Sequence, residues 1–192
     1  MADGQATAPF SNVKFVFLDR DGVINRKAPE GQYVCNQNDF HILPGVEAAI
    51  SELNRLGRSV IVITNQRGIA LGLFTCADVE ALHAQFQRHL ANIGAHVDAF
   101  YYCPHDKDRC NCRKPKTGLF ENAFRDFPGA NAENSIMIGD SLSDIEAARH
   151  LGLRSILIES DEESRRDGTK RAAALASANC SSLYDAVLSY LL

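Results

Sequence analysis

The sequence predicts an α/β protein built on a doubly wound, mostly parallel sheet with helices on both faces. Short apolar runs alternate with amphipathic segments along the 192 residues, the order that βαβ crossovers produce. The first run, Phe15-Val16-Phe17-Leu18, is apolar on successive residues, as in a strand covered on both faces. Polar groups able to do chemistry stand just beyond several runs, where ligands collect in open α/β sheets.

Taken in order, Phe15–Leu18 is the first strand, and Asp19-Arg20-Asp21-Gly22 follows it with a glycine that lets the chain turn away. Asn25 to Leu43 is polar and punctuated by Pro29 and Gly31; so long an irregular stretch is usually functional, and 25–43 is expected to hang over Asp19 as a lid. Pro44-Gly45 opens a helix to about Leu56, with Val46, Ala49, Ile50 and Leu53 at helical spacing and Gly57 stopping it. Ser59–Thr64 is a β-branched second strand. Thr75 starts a long helix, with Asp78 as a weaker relative of the capping-box residue and Val79, Leu82, Phe86 and Leu90 as its buried stripe. Val97–Tyr102 is the third strand, 117 to about 127 a helix, and Ser135–Ile138 the fourth strand. A helix over 142–151 and a strand over 154–158 follow. Residues 159–179 are charged and weakly patterned and read as an exposed return loop before a closing helix over 182–191.

The length suits one domain with a substantial core, placed at 13–192 behind a flexible leader at 1–12 that has neither the basic start nor the apolar core of a signal peptide. With 45% hydrophobic and 23% charged residues and a net charge of −4, the chain shows no sign of a nucleic-acid partner. Its apolar runs fall far short of the roughly 20 residues that span a bilayer, so no membrane partner is expected. Cytoplasmic location and a monomer are the expectations.

Asp19 and Asp21, close together at a strand end, repel or share a proton unless a cation neutralises them, which suggests Mg²⁺; an ordinary Asp-Gly turn is the plainer alternative. Thr64-Asn65-Gln66 offers a hydroxyl and two amides to phosphate oxygens, or else forms an Asx-type turn. In Arg113-Lys114-Pro115 the proline disfavours helix at Lys114, so two cations are presented from a rigid corner to an anionic substrate, unless they are a solvated basic pair. In Gly139-Asp140-Ser141-Leu142-Ser143-Asp144, Asp140 stands where a strand delivers it to the metal; Asp144 supports it, and Ser143 or Asp144 equally suits a helix cap. Cys103, His105, Cys110 and Cys112 supply three thiolates and an imidazole within 103–112, a closed tetrahedral set for a structural Zn²⁺, with free thiols in a reduced loop as the plainer alternative.

The ordered set Asp-x-Asp-Gly, strand-Thr-Asn, Lys-Pro and Gly-Asp-x-x-x-Asp resembles the haloacid dehalogenase-like phosphatases over roughly Val13 to Ile158. The resemblance implies their Rossmann-like fold and their reaction. Asp19 attacks a phosphoryl group to form an aspartyl phosphate, and Asp21 serves as acid and then base. Mg²⁺ is held by the carboxylates of Asp19 and Asp140 and the main-chain carbonyl of Asp21, while Thr64 and Lys114 hold phosphoryl oxygens. The zinc loop, Gly31-Gln32-Tyr33-Val34, Thr64 to Ala70 and Tyr101 to His105 narrow the likeness to the capless group that includes heptose-bisphosphate and histidinol-phosphate phosphatases. Heptose 1,7-bisphosphate is then the expected substrate among small phosphorylated sugars, losing its 7-phosphate. Histidinol phosphate, another small sugar phosphate and a catalytically inactive phosphate-binding scaffold are the alternatives. Leu71 stands where heptose enzymes usually carry arginine, Ser141 where some carry lysine, and the zinc loop is compact.

Overall fold

The computed structural model describes residues 10–29, 31–159 and 168–192. Strands β1 (Phe15–Leu18), β2 (Ser59–Asn65), β3 (Ala99–Cys103), β4 (Ser135–Gly139), β5 (Arg154–Ile158) and β6 (Ala178–Cys180) form one parallel sheet in the order β3-β2-β1-β4-β5-β6. Helices α1 (Val46–Arg55), α2 (Cys76–Ala91), α3 (Gly118–Asp126), α4 (Leu142–His150), α5 (Thr169–Leu175) and α6 (Leu183–Tyr190) cover it.

The period of two along each strand sorts the core. Val16 and Leu18 of β1 and Val60 and Val62 of β2 pack with α1, α2 and α6, whereas Phe17, Ile61 and Ile63 pack with α3 and α4. Both faces are therefore buried, which is why β1 reads as an unbroken apolar run. Local sequence starts the helices: Thr75 and Asp78 form a reciprocal capping box at α2, and Ser141 and Asp144 form another at α4.

Two readings are corrected. The third strand runs Ala99–Cys103, two residues beyond the expected start. Residues 159–179 are more than a return loop, since they contain α5 and the first two residues of β6; 160–167 lie outside the described residues. These elements escape a periodicity search because α5 buries only Ala172 and three-residue β6 has no buried position. At the end of the proposed leader, Phe10 stacks on Tyr190 with ring centroids 5.3 Å apart, and Asn12 accepts from Arg154 at 2.7 Å; 1–9 lie outside the described residues.

Segment 25–43 is tied at its base, with Arg26 N donating to His41 O at 2.8 Å and Leu43 N to Ile24 O at 2.9 Å. It carries a 3-10 turn at Gln37–Asp39, capped by Asn36. Among the described residues, no helix is long and apolar enough to cross a membrane.

Phe17 is fully buried, with its ring edge-on to Phe120 and Phe124 at 5.2 and 5.6 Å. Phe17→Ala should cost about 3–5 kcal/mol of unfolding free energy in a urea titration, and a loss under about 1 kcal/mol would contradict this packing.

Candidate active site

Successive strands wind outward from β1 on one side and from β4 on the other. The chain therefore reverses direction between these two neighbours, which opens a crevice at their carboxyl ends. A cavity of about 510 Å³ lies there, lined by Asp19, Asp21, Thr64, Asn65, Arg113 and Lys114 among others. All six residues expected for catalysis and phosphate binding thus meet in one place.

Lys114 is the buried centre of this site. Its ammonium lies 3.0 Å from Asp19 Oδ1 and 2.6 Å from Asp144 Oδ1, and donates to Ile63 O at 2.6 Å. Asn65 locks its backbone, accepting from Lys114 N at 3.0 Å and donating to Lys114 O at 3.1 Å. The Asn65 amide is therefore engaged in holding Lys114, whatever it offers to a ligand. Asp144 accepts from Ser141 N and Oγ through its other oxygen, at 3.1 and 2.6 Å, so a single carboxylate both caps α4 and anchors Lys114.

Asp19, Asp140 and Asp144 each present an oxygen within 4.8 Å of the others. Burial, then the neighbouring Asp144, push the Asp19 carboxyl up to about 7 despite Lys114, and Asp140 and Asp21 add to the rise. Burial also raises Asp140, against the pull of Lys27. Asp140 Oδ1 is buried without a hydrogen-bond partner among the described residues. Gly22 permits this crowding: its φ is +99°, and a Cβ there would come within 2.2 Å of Asp140 Oδ2. Excess negative charge and an unsatisfied buried oxygen are the donor chemistry that fits a hard divalent cation.

Asp21 faces a different set of partners. Arg20, almost fully buried, donates to Asp21 Oδ1 through Nε at 3.2 Å and Nη2 at 2.9 Å; Asn25 donates to the same oxygen at 2.9 Å. Gln66 reaches Oδ2 at 3.1 Å and Thr64 Oγ1 at 2.9 Å. Gln66, read from sequence as an amide for phosphate oxygens, is thus engaged with Asp21 and Thr64. Arg20, Asn25 and Lys27 were not singled out from sequence. The first two lie inside motifs quoted for their neighbours, while Lys27 lies in the irregular segment and carries no pattern.

The Cys103, His105, Cys110 and Cys112 ligand atoms also fall within 4.8 Å of one another. Cys103 Sγ lies 3.5 Å from Cys110 Sγ and 3.2 Å from Cys112 Sγ, close to the roughly 3.8 Å edge of a tetrahedron with Zn–S bonds of about 2.3 Å. Partial burial opposes ionisation of Cys110, but donors from Cys112 and the Arg113 backbone outweigh it and hold the thiol down at about 7. All six cysteines are free thiols. On the cavity side of this loop stand Lys107, Arg113, whose Nη1 is buried without a partner among the described residues, and Arg67, ion-paired with Asp106. Leu71 is 43% exposed and not part of the cavity wall.

This sheet, with an aspartate pair after β1 and a lysine and a further aspartate converging on it, defines the class of haloacid dehalogenase-like hydrolases, and a HAD-hydrolase-like family model matches residues 111–186. A D-glycero-alpha-D-manno-heptose-1,7-bisphosphate 7-phosphatase of Mycobacterium bovis is 43% identical over 71% of this chain and 72% of its own. A D-glycero-beta-D-manno-heptose-1,7-bisphosphate 7-phosphatase of Vibrio cholerae is 40% identical over 72% of this chain and 76% of its own. The crystal structure of the D,D-heptose 1,7-bisphosphate phosphatase of B. bronchiseptica, complexed with magnesium and phosphate, superposes with a TM-score of 0.77 and 32% identity over 90% of this chain and 94% of that one. The chain belongs to the D-glycero-D-manno-heptose-1,7-bisphosphate 7-phosphatase family, and it is a phosphatase.

The Asp19 shift has a testable sign. Its folded-state pKa, about 7, lies above the ordinary value of 3.8, so protonated Asp19 stabilises the fold; that contribution is full below the lower value and is lost as pH rises through the higher. With a chelator present, Asp19→Asn should melt above wild type near pH ~8, with an advantage that shrinks towards pH ~5. A difference in melting temperature independent of pH would contradict it.

Proposed function

We propose that the protein removes the 7-phosphate of D-glycero-D-manno-heptose 1,7-bisphosphate, with Asp19 as nucleophile. The arrangement around Lys114 carries this reading. Both hydrogen bonds that Asp19 accepts among the described residues, from Arg20 N at 2.8 Å and from Lys114, fall on Oδ1. Oδ2 is left open to an electrophile in the cavity. Its attack on phosphorus breaks the bond to the sugar oxygen, and the departing electron pair takes a proton from Asp21. With three donors on Asp21 Oδ1 and one on Oδ2 among the described residues, the transferable proton belongs on Oδ2. Asp21 then takes a proton from the water that attacks phosphorus, the Asp19–phosphorus bond breaks, and inorganic phosphate leaves. Thr64 and Lys114 face the phosphoryl oxygens.

Asp19 and Asp140, with the Asp21 carbonyl, would hold Mg²⁺, which neutralises the carboxylates and the phosphoryl group so that one anion can approach another. Magnesium and phosphate in the B. bronchiseptica relative support this choice. Cys103, His105, Cys110 and Cys112 would hold a structural Zn²⁺ that fixes the corner carrying Arg113 and Lys114. The relatives' names support the heptose substrate, and Arg67, Lys107 and Arg113 supply cations for its second phosphate. Arg67, four residues before Leu71, provides the charge that Leu71 does not. Segment 25–43 contributes one wall of the cavity, as a lid would. Free thiols suit a reducing cytoplasm, and one chain supplies the whole site, as a monomer requires.

Phosphate release should be measured on both heptose 1,7-bisphosphate anomers, a heptose monophosphate and histidinol phosphate. A heptose bisphosphate should give the highest kcat/KM; preference for histidinol phosphate would overturn the substrate reading. Arg67→Ala should lower the bisphosphate-to-monophosphate ratio of kcat/KM by about tenfold or more, the loss of a charge-assisted hydrogen bond of roughly 1.5–3 kcal/mol. An unchanged ratio would remove Arg67 from the subsite. Elemental analysis should find about one zinc per chain, lost in Cys110→Ser; zinc-free wild type would contradict the tetrad.

A further inference from the structure

Asp140 is counterbalanced in an unusual way. Its side chain is 2% exposed, and the Lys27 side chain, 18% exposed, is ion-paired with Oδ2 through its ammonium. Lys114 is already shared between Asp19 and Asp144, and Arg20 is engaged with Asp21. Among the described residues, three carboxylates thus face two ammonium groups, and Lys27 is the one bonded to the carboxylate whose other oxygen has no partner there. A buried carboxylate without a counter-charge is strongly unfavourable, so Asp140 stays ionised only beside a cation.

The lysine is placed for exchange. Its backbone follows a fixed anchor, with Arg26 N bonded to His41 O and Arg26 O accepting from Asn25 Nδ2 at 2.9 Å. Beyond that anchor, four flexible methylenes carry a compact point charge. Lys27 also lines the cavity. Its ammonium can therefore leave Asp140 for the space that receives a phosphoryl dianion without any movement of the main chain.

We propose that Lys27 is an exchangeable counter-cation: it compensates Asp140 in the metal-free protein and yields that carboxylate to a divalent cation, turning its own charge into the cavity. The proposal rests on the reading of Asp140 as a cation ligand. Exchange makes metal binding weaker than the carboxylates alone would give, because the ion pair must first be broken. It also leaves the cavity more positive once the metal is in place, so metal and anion reinforce each other.

The test is Mn²⁺ binding to the whole protein by electron paramagnetic resonance, without phosphate. Lys27→Gln, and Lys27→Met, which keeps more of the apolar stem, should bind Mn²⁺ on the order of tenfold more tightly than wild type, since one unit charge at contact distance has been removed. Lys27→Arg should stay within about twofold of wild type because the charge is kept. Asp140→Asn separates the two ways of failing. If it binds Mn²⁺ as well as wild type does, the metal reading fails and the exchange with it. If it loses Mn²⁺ while Lys27→Gln and Lys27→Met bind no tighter than wild type, the exchange alone is overturned.

Discussion

Everything at this site depends on keeping carboxylates crowded at the end of a buried sheet. Asp19, Asp140 and Asp144 hold their oxygens within 4.8 Å of one another, beneath a cavity and above a core whose strand residues are inaccessible to water. Such a cluster would disperse or protonate without compensation. The buried Lys114 supplies that compensation from the centre, and Asn65 and the Ile63 carbonyl hold it there. The same ammonium that makes the cluster tolerable also leaves Asp19 Oδ2 as the open oxygen. Stability and reactivity are thus two consequences of one ion-pair arrangement.

The crowding also explains why special backbone and capping residues converge here. Gly22 leaves room for Asp140 at a positive φ, and Asp144 reaches Lys114 from the first turn of a helix that it caps with Ser141. The thiol-rich loop leads directly into Arg113 and Lys114, so a metal bound in it would stiffen the corner on which the cluster depends. In our reading, a divalent cation completes the charge balance that the lysines begin.

Much of this was legible in sequence because the central strands carry unbroken apolar runs and chemical residues stand at or just beyond their ends. Phe15–Leu18 followed by Asp19 and Asp21 announced both a buried strand and a site, and the spacing from Cys103 to Cys112 announced the thiol cluster. The return to the sheet through α5 and β6 was not legible, since an alanine-rich helix and a three-residue strand with an exposed Asn179 show neither period. Lys27 was hidden for another reason: a lone lysine in an irregular segment looks like any solvated cation, and only the fold brings it to Asp140. The partners of Asp21 were in view but unassigned, because adjacency in a motif does not say which oxygen a side chain will reach.

The central claim is that Asp19 itself receives the phosphoryl group. Its most direct measurement is a rapid quench during turnover of a heptose bisphosphate, with borohydride reduction of the acyl phosphate and mass analysis of the peptide carrying Asp19. We expect reduction at Asp19 alone, dependent on substrate. A substrate-dependent label on another residue, or none under conditions that trap a chemically prepared acyl phosphate, would contradict the covalent role assigned to Asp19.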